Sequence, residues 1–216
     1  MKKVFYLMLC MIVGLCATSC LSDDGNDNNN NYTPLTQEQK AAQMKAMSGL
    51  YSGWIYYIND TTNTKDSTSI SWELTSNDST LTIFRFPVKV LANGISRASD
   101  ARKILMASET ESVSAILHPY ANTVNINGYY TFLFFPRDFK MEFTTEYEDK
   151  VYDVKVEFAD EMSAYTTDWT SSSYYYAYGE YYENKMQGYL LIKSVKVGDN
   201  SFTTGWPTLI FGNKTY

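Results

Sequence analysis

Apolar and polar residues alternate along much of the chain, and this period of two constrains the fold more than any other feature of the sequence. In SISWEL (69–74) three large apolar residues alternate with two serines and a glutamate. In KMEFTTEYEDKVYDVKVEF (140–158) apolar and charged residues alternate on both sides of the segment from Glu148 to Lys150. Such alternation is typical of strands with one buried face. The second segment therefore predicts a β-hairpin that turns between Glu148 and Lys150.

Four further segments indicate strands or a short helix. STLTIFRFPVKV predicts a strand with an edge position or a bulge at Pro87. GYLLIKSVKVGDNSF predicts one strand followed by a turn at Asp199 and Asn200. Between them, SDARKILMAS fits a short helix capped at Ser99, and SVSAILHPY fits a strand that ends before Pro119.

One N-terminal helix precedes these strands. Thr36 and Gln39 have the spacing of a capping box, and Met44 and Met47 follow at helical spacing. This pattern predicts a helix from Thr36 to Ser48 that ends at Gly49. With about six to ten short strands after it, residues 36–216 are predicted to form a single mainly β domain, an antiparallel sandwich or a barrel.

The start of the chain has the composition of a secretory signal. Lys2 and Lys3 precede the uncharged segment VFYLMLCMIVGLCA (4–17), which is followed by small residues. A membrane-spanning helix needs about 20 apolar residues, so this segment is too short to be one. Residues 1–19 are therefore predicted to be a signal peptide.

ATSC (17–20) resembles the bacterial lipobox, in which the cysteine is lipidated and becomes the new N-terminus. Ala17 differs from the leucine that is most frequent at the first lipobox position. Removal of residues 1–19 also removes Cys10 and Cys16, which leaves Cys20 as the only cysteine of the mature chain. The resemblance implies that Cys20 carries a lipid anchor, and it excludes disulfides, zinc–thiolate sites and cysteine nucleophiles in the domain.

LSDDGNDNNNNYTP (21–34) has too few apolar residues to form a core. Residues 20–35 are predicted to be a flexible tether. Ser22, Asp23 and Asp24, directly behind Cys20, resemble the surface-export signal of Bacteroidetes lipoproteins. That resemblance implies attachment to the outer membrane with the domain facing the cell exterior, and a periplasm-facing lipoprotein with an acidic linker remains the alternative.

Charge and residue content exclude several functions. The mature chain has 24 acidic and 16 basic residues, a net charge of −8, which disfavours nucleic acid as a partner. His118 is the only histidine, and no motif of a hydrolase or a metalloprotease accompanies it. We therefore expect no enzymatic activity, no cofactor and no bound metal, although Glu180 and Glu183 remain candidates for a pair of glycosidase carboxylates.

MSGLYSGWIYY (47–57), DSTLTI (78–83) and FPVKVLA (86–92) resemble a family of secreted Bacteroidetes lipoproteins whose domain has no assigned function. The resemblance covers mainly residues 36–92 and, only loosely, the C-terminal half. GLYSG is also similar to the opening of lipocalin-like barrels, which implies a lipocalin-like barrel as one form of the β domain. Gly-x-Tyr-x-Gly is also what the entry to a tightly turned strand requires.

SSSYYYAYGEYY (171–182) places six tyrosines within nine positions. If residues 174–182 form one strand, Tyr174, Tyr176, Tyr178 and Tyr182 share a face that Glu180 interrupts. Such a face either packs a sheet whose outer side is wet or binds a ligand through rigid rings. These four tyrosines and Trp169, in the loop before them, are the candidate ligand-binding residues.

The tripeptides DTT (60–62), DST (66–68) and DST (78–80) resemble the O-glycosylation signal of exported Bacteroidetes proteins. The resemblance implies a glycan on Thr61, Ser67 or Ser79. Asp–Ser–Thr clusters are also ordinary in turns, and these three lie in or beside predicted turns.

The sequence favours a non-enzymatic lipoprotein that is anchored in the outer membrane and binds a glycan or a protein outside the cell. One alternative is a lipocalin-like carrier of a small apolar ligand, which requires an apolar interior cavity. The other is a carboxylate-dependent hydrolase, which requires two carboxylates facing each other across a cleft.

Overall fold

The computed structural model describes residues 34–216 except residues 60, 63, 122–125, 135–139, 160, 166–171 and 204–207. For residues 140, 161–165 and 172–176 it describes the backbone alone. The residues predicted to carry the lipid anchor and the export signal, Cys20, Ser22, Asp23 and Asp24, lie outside the described residues, as does Trp169.

The first element is the predicted helix, α1 (Gln37–Met47). The Thr36 hydroxyl accepts a hydrogen bond from the Gln39 N–H at 3.2 Å, and the Gln39 side-chain oxygen accepts one from the Thr36 N–H at 2.8 Å. This reciprocal capping box satisfies two groups that a helix start otherwise leaves without partners. Met44 and Met47 are buried, so the predicted helix and its apolar side are confirmed.

The described part of the chain contains fourteen strands, more than the six to ten predicted. They are β1 (Gly49–Asn59), β2 (Thr64–Leu74), β3 (Thr80–Pro87), β4 (Thr110–Tyr120), β5 (Tyr130–Phe134), β6 (Lys140–Tyr147), β7 (Lys150–Phe158), β8 (Glu161–Tyr165), β9 (Ser172–Tyr176), β10 (Tyr178–Tyr182), β11 (Lys185–Leu190), β12 (Ile192–Val197), β13 (Asn200–Thr203) and β14 (Thr208–Lys214). A 3₁₀ helix (Val88–Ala92) and α2 (Asp100–Ala107) lie between β3 and β4.

Eight of these strands form a closed antiparallel barrel in the order β1-β14-β11-β10-β5-β4-β3-β2. The barrel closes where β1, the first strand, pairs with β14, the last, and Trp54 is opposite Phe211 in this pair. A four-stranded sheet has the order β13-β12-β7-β6, and β8 and β9 form a separate pair. Of the two predicted architectures, the barrel is therefore the correct one.

The interior of the barrel is filled by side chains. Alternate residues of each strand point inward, as period-two strands require. Each of the following is at most 5% exposed: Tyr51, Ile55, Ile70, Trp72, Leu74, Leu81, Ile83, Val113, Leu117, Phe132, Phe134, Met186, Leu190 and Ile210. The faces predicted for SISWEL are confirmed, because Ile70, Trp72 and Leu74 belong to this interior.

Two glycines in the barrel wall leave space for large aromatic rings in the core. A methyl group added at Gly179 would lie 2.3 Å from the Phe132 ring, and one added at Gly212 would lie 2.5 Å from the Trp72 ring. Aromatic rings therefore occupy the volume that side chains at these two positions would take. Such contacts are typical of a close-packed core.

The predicted hairpin is formed by β6 and β7, with Tyr147 paired to Lys150. Glu148 and Asp149 turn the chain with positive φ angles of 51° and 59°. Two successive positive φ angles are the geometry of a tight type I′ hairpin turn. On the inward side of β7, Val154 and Val156 are buried against β12, as the alternation predicted.

Three local predictions need comment. The bulge expected at Pro87 lies slightly earlier, because the register of β3 shifts between Ile83 and Phe86 while Pro87 itself is paired with Thr110. The segment GYLLIKSVKV is not one strand: it leaves the barrel after Leu190 and enters the four-stranded sheet at Ile192. The predicted end before Pro119 is wrong, because β4 continues to Tyr120, whose Cα partner is Thr131. Proline removes one ladder hydrogen bond, but its fixed φ is compatible with an extended strand.

The short helix predicted after Ser99 is confirmed as α2. No helix among the described residues is both long and apolar enough to cross a membrane.

Candidate functional site

The outer surface of the barrel carries a group of large apolar and aromatic side chains, which we call the aromatic face. Because Tyr51 and Ile55 of β1 point inward, Trp54 and Tyr56 point outward, and the same alternation applies to the neighbouring strands. The aromatic face consists of Trp54 and Tyr56 of β1, Leu209 and Phe211 of β14, Tyr189 of β11, and Tyr178 and Tyr182 of β10.

The strand register aligns these side chains in two rows across the barrel wall. In one row Trp54 is opposite Phe211, Phe211 is opposite Gln187, and Gln187 is opposite Glu180. With strands about 4.8 Å apart, this row spans about 14 Å. The width fits a segment of an extended ligand rather than a single small group.

The second row runs parallel to the first. Tyr56 is opposite Leu209, and Leu209 is opposite Tyr189. The Tyr189 ring continues the row to Tyr178, with ring centroids 6.0 Å apart and ring planes inclined by 49°. This tilted arrangement is one that aromatic pairs prefer.

Exposure differs within the aromatic face. Trp54 is 48% exposed, which is unusual for so large an apolar residue. Tyr178, Tyr182 and Tyr189 are half-buried. The rings are thus supported by the barrel wall while part of their surface stays in contact with solvent.

A polar pair lies at the end of the first row. Gln187 Nε2 donates a hydrogen bond to Glu180 Oε2 at 3.0 Å. Burial, followed by the charge of Glu180 and a hydrogen bond with it, raises the pKa of Tyr129 well above its usual value. The Tyr129 hydroxyl therefore stays protonated and donates to Glu180. The Tyr129 ring also lies 6.3 Å from the Tyr182 ring, centroid to centroid.

The other half of the outer wall is different in character. Strands β2, β3 and β4 present small hydroxyl side chains outward, among them Ser69, Ser71, Thr82 and Ser114. Thr82 Oγ1 and Ser114 Oγ are hydrogen-bonded at 2.9 Å. The barrel therefore has a hydroxyl-rich half, where Phe84 is an exposed ring, and a half that carries the aromatic face.

The structure places the predicted tyrosines in two strands instead of one. The backbone bends at Ala177, whose carbonyl accepts a hydrogen bond from the Phe134 N–H at 2.8 Å, and β9 pairs with β8 outside the barrel. Tyr178 and Tyr182 do share a face with Glu180 between them, while Gly179 and Tyr181 point inward. The side chains of Tyr174 and Tyr176, in β9, lie outside the described part of the structure.

Sequence reasoning missed Trp54, Tyr189 and Phe211 as members of the site. WIYY after Gly53 carries the local signal, because Trp54 and Tyr56 alternate with Ile55. Their meeting with Phe211 depends on the pairing of the first strand with the last, which no local pattern contains. The ligand-binding role of all these residues stays a prediction.

The three candidate glycosylation positions lie in different surroundings. Thr61 is exposed in the turn between β1 and β2, where its N–H donates to the Asn59 side chain at 2.9 Å. Ser67 is half-buried within β2 and not in or beside a turn, contrary to the prediction. Ser79 lies in the turn before β3 with a positive φ of 56°. Access to a modifying enzyme is therefore best at Thr61.

The remaining chemical candidates are dispersed. His118 is exposed on β4, with Leu133 as its Cα partner. Glu180 lies on β10 and Glu183 in the turn that follows it, so this carboxylate pair belongs to one hairpin instead of two sides of a cleft. Within the described ranges, no three histidine, cysteine, aspartate or glutamate residues are grouped as a metal site requires.

A crevice between the barrel and the four-stranded sheet is too narrow to admit a water molecule. It is lined by Phe134, Phe158, Ala159, Ala177, Tyr189, Leu190 and Leu191. It offers no volume for a small apolar ligand.

The fold and the site together define a mainly β protein with a closed, side-chain-filled barrel and an aromatic outer face. The chain belongs to the family described as a domain of unknown function, DUF4840, whose model matches residues 46–197. The match confirms the expected domain of unknown function; it begins within the segment 36–92, which carries most of the expected resemblance, and continues into the C-terminal half. No curated protein matches the chain.

Proposed function

We propose that this protein is a surface lipoprotein, tethered to the outer membrane through Cys20, whose barrel binds a glycan outside the cell without catalysing a reaction. The observation that carries the proposal is the aromatic face, with Trp54 48% exposed at one end and the half-buried Tyr178 and Tyr189 at the other. Rigid rings stack on the apolar faces of sugars and lose little conformational freedom on binding.

The polar groups of the site also suit a glycan. Sugars present hydroxyl groups around an apolar ring face, so a binding surface needs acceptors next to aromatic rings. Glu180 and Gln187 supply acceptors and an amide donor beside Tyr178 and Tyr182. The alternative function, carriage of a small apolar ligand, has less support, because the barrel interior is filled by side chains.

The binding function is tested with a glycan array and the purified chain. We expect the wild-type protein to bind a subset of glycans and Trp54→Ala to lose about 10-fold or more in affinity, since truncating a tryptophan that anchors a binding surface typically costs about 2 kcal/mol or more. Phe84→Ala is the matched control, because Phe84 is 39% exposed on β3, in the hydroxyl-rich half of the barrel. Equal loss in both variants, or no glycan binding by the wild type, refutes the proposal.

Anchoring is tested separately in the native host. Cys20→Ala should abolish lipid attachment, measured by intact mass, and release the protein from the membrane fraction. Cys16→Ala is the control, since Cys16 lies in the segment predicted to be removed. Protection of the wild-type domain from added protease on intact cells would contradict the outward orientation that we infer from Ser22, Asp23 and Asp24.

Modification is a third part of the proposal. We propose Thr61 as the position among the three that carries an O-linked glycan, because it is exposed in a turn. Thr61→Val should remove the added mass from protein purified from the host, whereas Ser67→Ala should leave it. A mass equal to polypeptide plus lipid in the wild type would exclude glycosylation.

A further inference from the structure

The aromatic face has one polar pair among its rings, and we propose that this pair makes the site selective for uncharged, hydroxyl-rich glycans. The inference rests on the glycan-binding function proposed above and assigns Glu180 and Gln187 as the residues that determine specificity. Anionic glycans, with carboxylate or sulfate groups, are bound more weakly than neutral ones.

The position of the pair makes contact with a stacked ligand unavoidable. Glu180 and Gln187 are Cα partners across β10 and β11, and their side chains are joined by the 3.0 Å hydrogen bond. Tyr178 and Tyr182 lie two residues before and after Glu180 on the same outer side of β10. A sugar ring stacked on either tyrosine therefore lies beside the carboxylate.

The carboxylate is fixed in place and retains capacity to accept hydrogen bonds. Gln187 and Tyr129 each donate to Glu180 and so restrict its orientation. A carboxylate has about four acceptor positions, so two donors leave positions for ligand hydroxyl groups. Hydrogen bonds to a charged acceptor are about twice as strong as neutral ones, and hydroxyl donors are what a neutral sugar supplies.

The charges around the rings oppose an anion. Lys185, the Cα partner of Tyr182, and Glu183 lie together at the end of the β10–β11 hairpin, where they contribute one charge of each sign. Glu180 therefore supplies the negative charge among the rings. A carboxylate or sulfate held at the same place would be a like charge at a distance of a few ångströms, which costs about 1 kcal/mol even in water.

The experiment uses the full-length protein and an array that carries neutral, carboxylated and sulfated glycans of matched length. We expect the wild type to bind the neutral members about 5-fold more tightly than their carboxylated counterparts, which corresponds to a repulsion of about 1 kcal/mol. Glu180→Gln, which keeps the shape and removes the charge, should weaken binding of those members about 10-fold and raise binding of their carboxylated counterparts about 5-fold. Glu146→Gln is the control for the same charge change, because Glu146 is exposed on β6 of the four-stranded sheet and not on the barrel wall, and it should alter neither.

The outcomes separate the two proposals. Equal binding of neutral and anionic glycans by the wild type, or an unchanged preference in Glu180→Gln, overturns the selectivity while Trp54→Ala still reports on the aromatic face. Absence of any glycan binding overturns both. A dimer in sedimentation that Trp54→Ala dissociates also overturns both, because a second copy of the chain would then cover the face.

Discussion

Tyr51 and Trp72 are Cα partners across β1 and β2, and their rings stack inside the barrel with centroids 5.4 Å apart and planes within 2° of parallel. The Tyr51 hydroxyl donates a hydrogen bond to the Met47 carbonyl at the end of α1. One aromatic pair thus joins the N-terminal helix to the core of the barrel.

This relationship predicts unequal roles for two tryptophans. Trp72 is fully buried, so Trp72→Ala should lower the free energy of unfolding by about 3–5 kcal/mol. Trp54 is 48% exposed, so Trp54→Ala should change it by no more than about 0.5 kcal/mol. Urea denaturation of both variants measures the difference. Similar losses would mean that Trp54 supports the fold and would remove the main reason to assign it to a binding surface.

A second prediction concerns packing against a glycine. A methyl group at Gly188 would lie 2.8 Å from the Phe134 ring, closer than atoms pack. Gly188→Ala should destabilise the protein by about 1–3 kcal/mol, as overpacked cores do. Combining it with Phe134→Leu tests the cause: the double variant should be more stable than the sum of the two single losses predicts. Simple additivity would show that the Phe134 ring is not what the methyl group meets.

Alkaline pH should destabilise the fold through buried tyrosines. Burial is the main cause that raises the pKa of Tyr51 and of Tyr129 above the usual 10.0. A group whose pKa is higher in the folded state contributes stability that is complete below the unfolded value and is lost as the pH rises above it. Tyrosinate absorbance should show these two rings ionising later than exposed tyrosines, and unfolding should begin above pH 10.

The Tyr129 titration also tests its contact with Glu180. The charge of Glu180 is the second cause of the raised pKa, after burial. Glu180→Gln should therefore lower the pKa of Tyr129 without returning it to the usual value. The contribution of Tyr129 is obtained by subtracting the titration curve of Tyr129→Phe from that of the parent protein. A Tyr129 curve that Glu180→Gln leaves unchanged would show that the two side chains do not interact.

Acid should weaken the turn before β3. The Thr75 hydroxyl, and then the Thr80 N–H, donate to the Asp78 carboxylate and lower the pKa of Asp78 below its usual 3.8. This contribution to stability is present above pH 3.8 and disappears as the pH falls through the folded-state pKa. Asp78→Asn should reduce the loss of stability between neutral pH and pH 3, measured by urea midpoints. Thr75→Val, which removes the principal donor, should act in the same direction.

Most of the helices and strands could be predicted from local patterns in the sequence. Alternation identified the buried faces of β2, β6 and β7, because the period of a strand is visible in consecutive residues. The capping box located α1 for a similar reason. Alternation did not reveal the change of sheet at Leu191. Leu190, the last residue of the barrel strand, and Ile192, the first residue of the strand in the other sheet, are both apolar and buried.

The candidate site was harder to predict, because its members come together through strand pairing. Tyr178 and Tyr182 were identified from a tyrosine-rich segment, but that segment divides at Ala177, where the backbone hydrogen-bonds to Phe134 of β5. Trp54 and Phe211 are separated by most of the chain and become neighbours only when the barrel closes. The division of the tyrosine-rich segment at Ala177 and the closure of the barrel both depend on residues that are distant in the sequence.

The pairing of β1 with β14 has a practical consequence. The family match ends at residue 197, whereas β14 covers Thr208–Lys214 and hydrogen-bonds to both β1 and β11. A fragment cut at the family boundary would leave two strands with unsatisfied backbone edges, which are templates for aggregation. A chain that emerges N-terminus first must likewise wait for β14 before the wall becomes continuous, so the barrel cannot close while residues 208–214 are still to be synthesised.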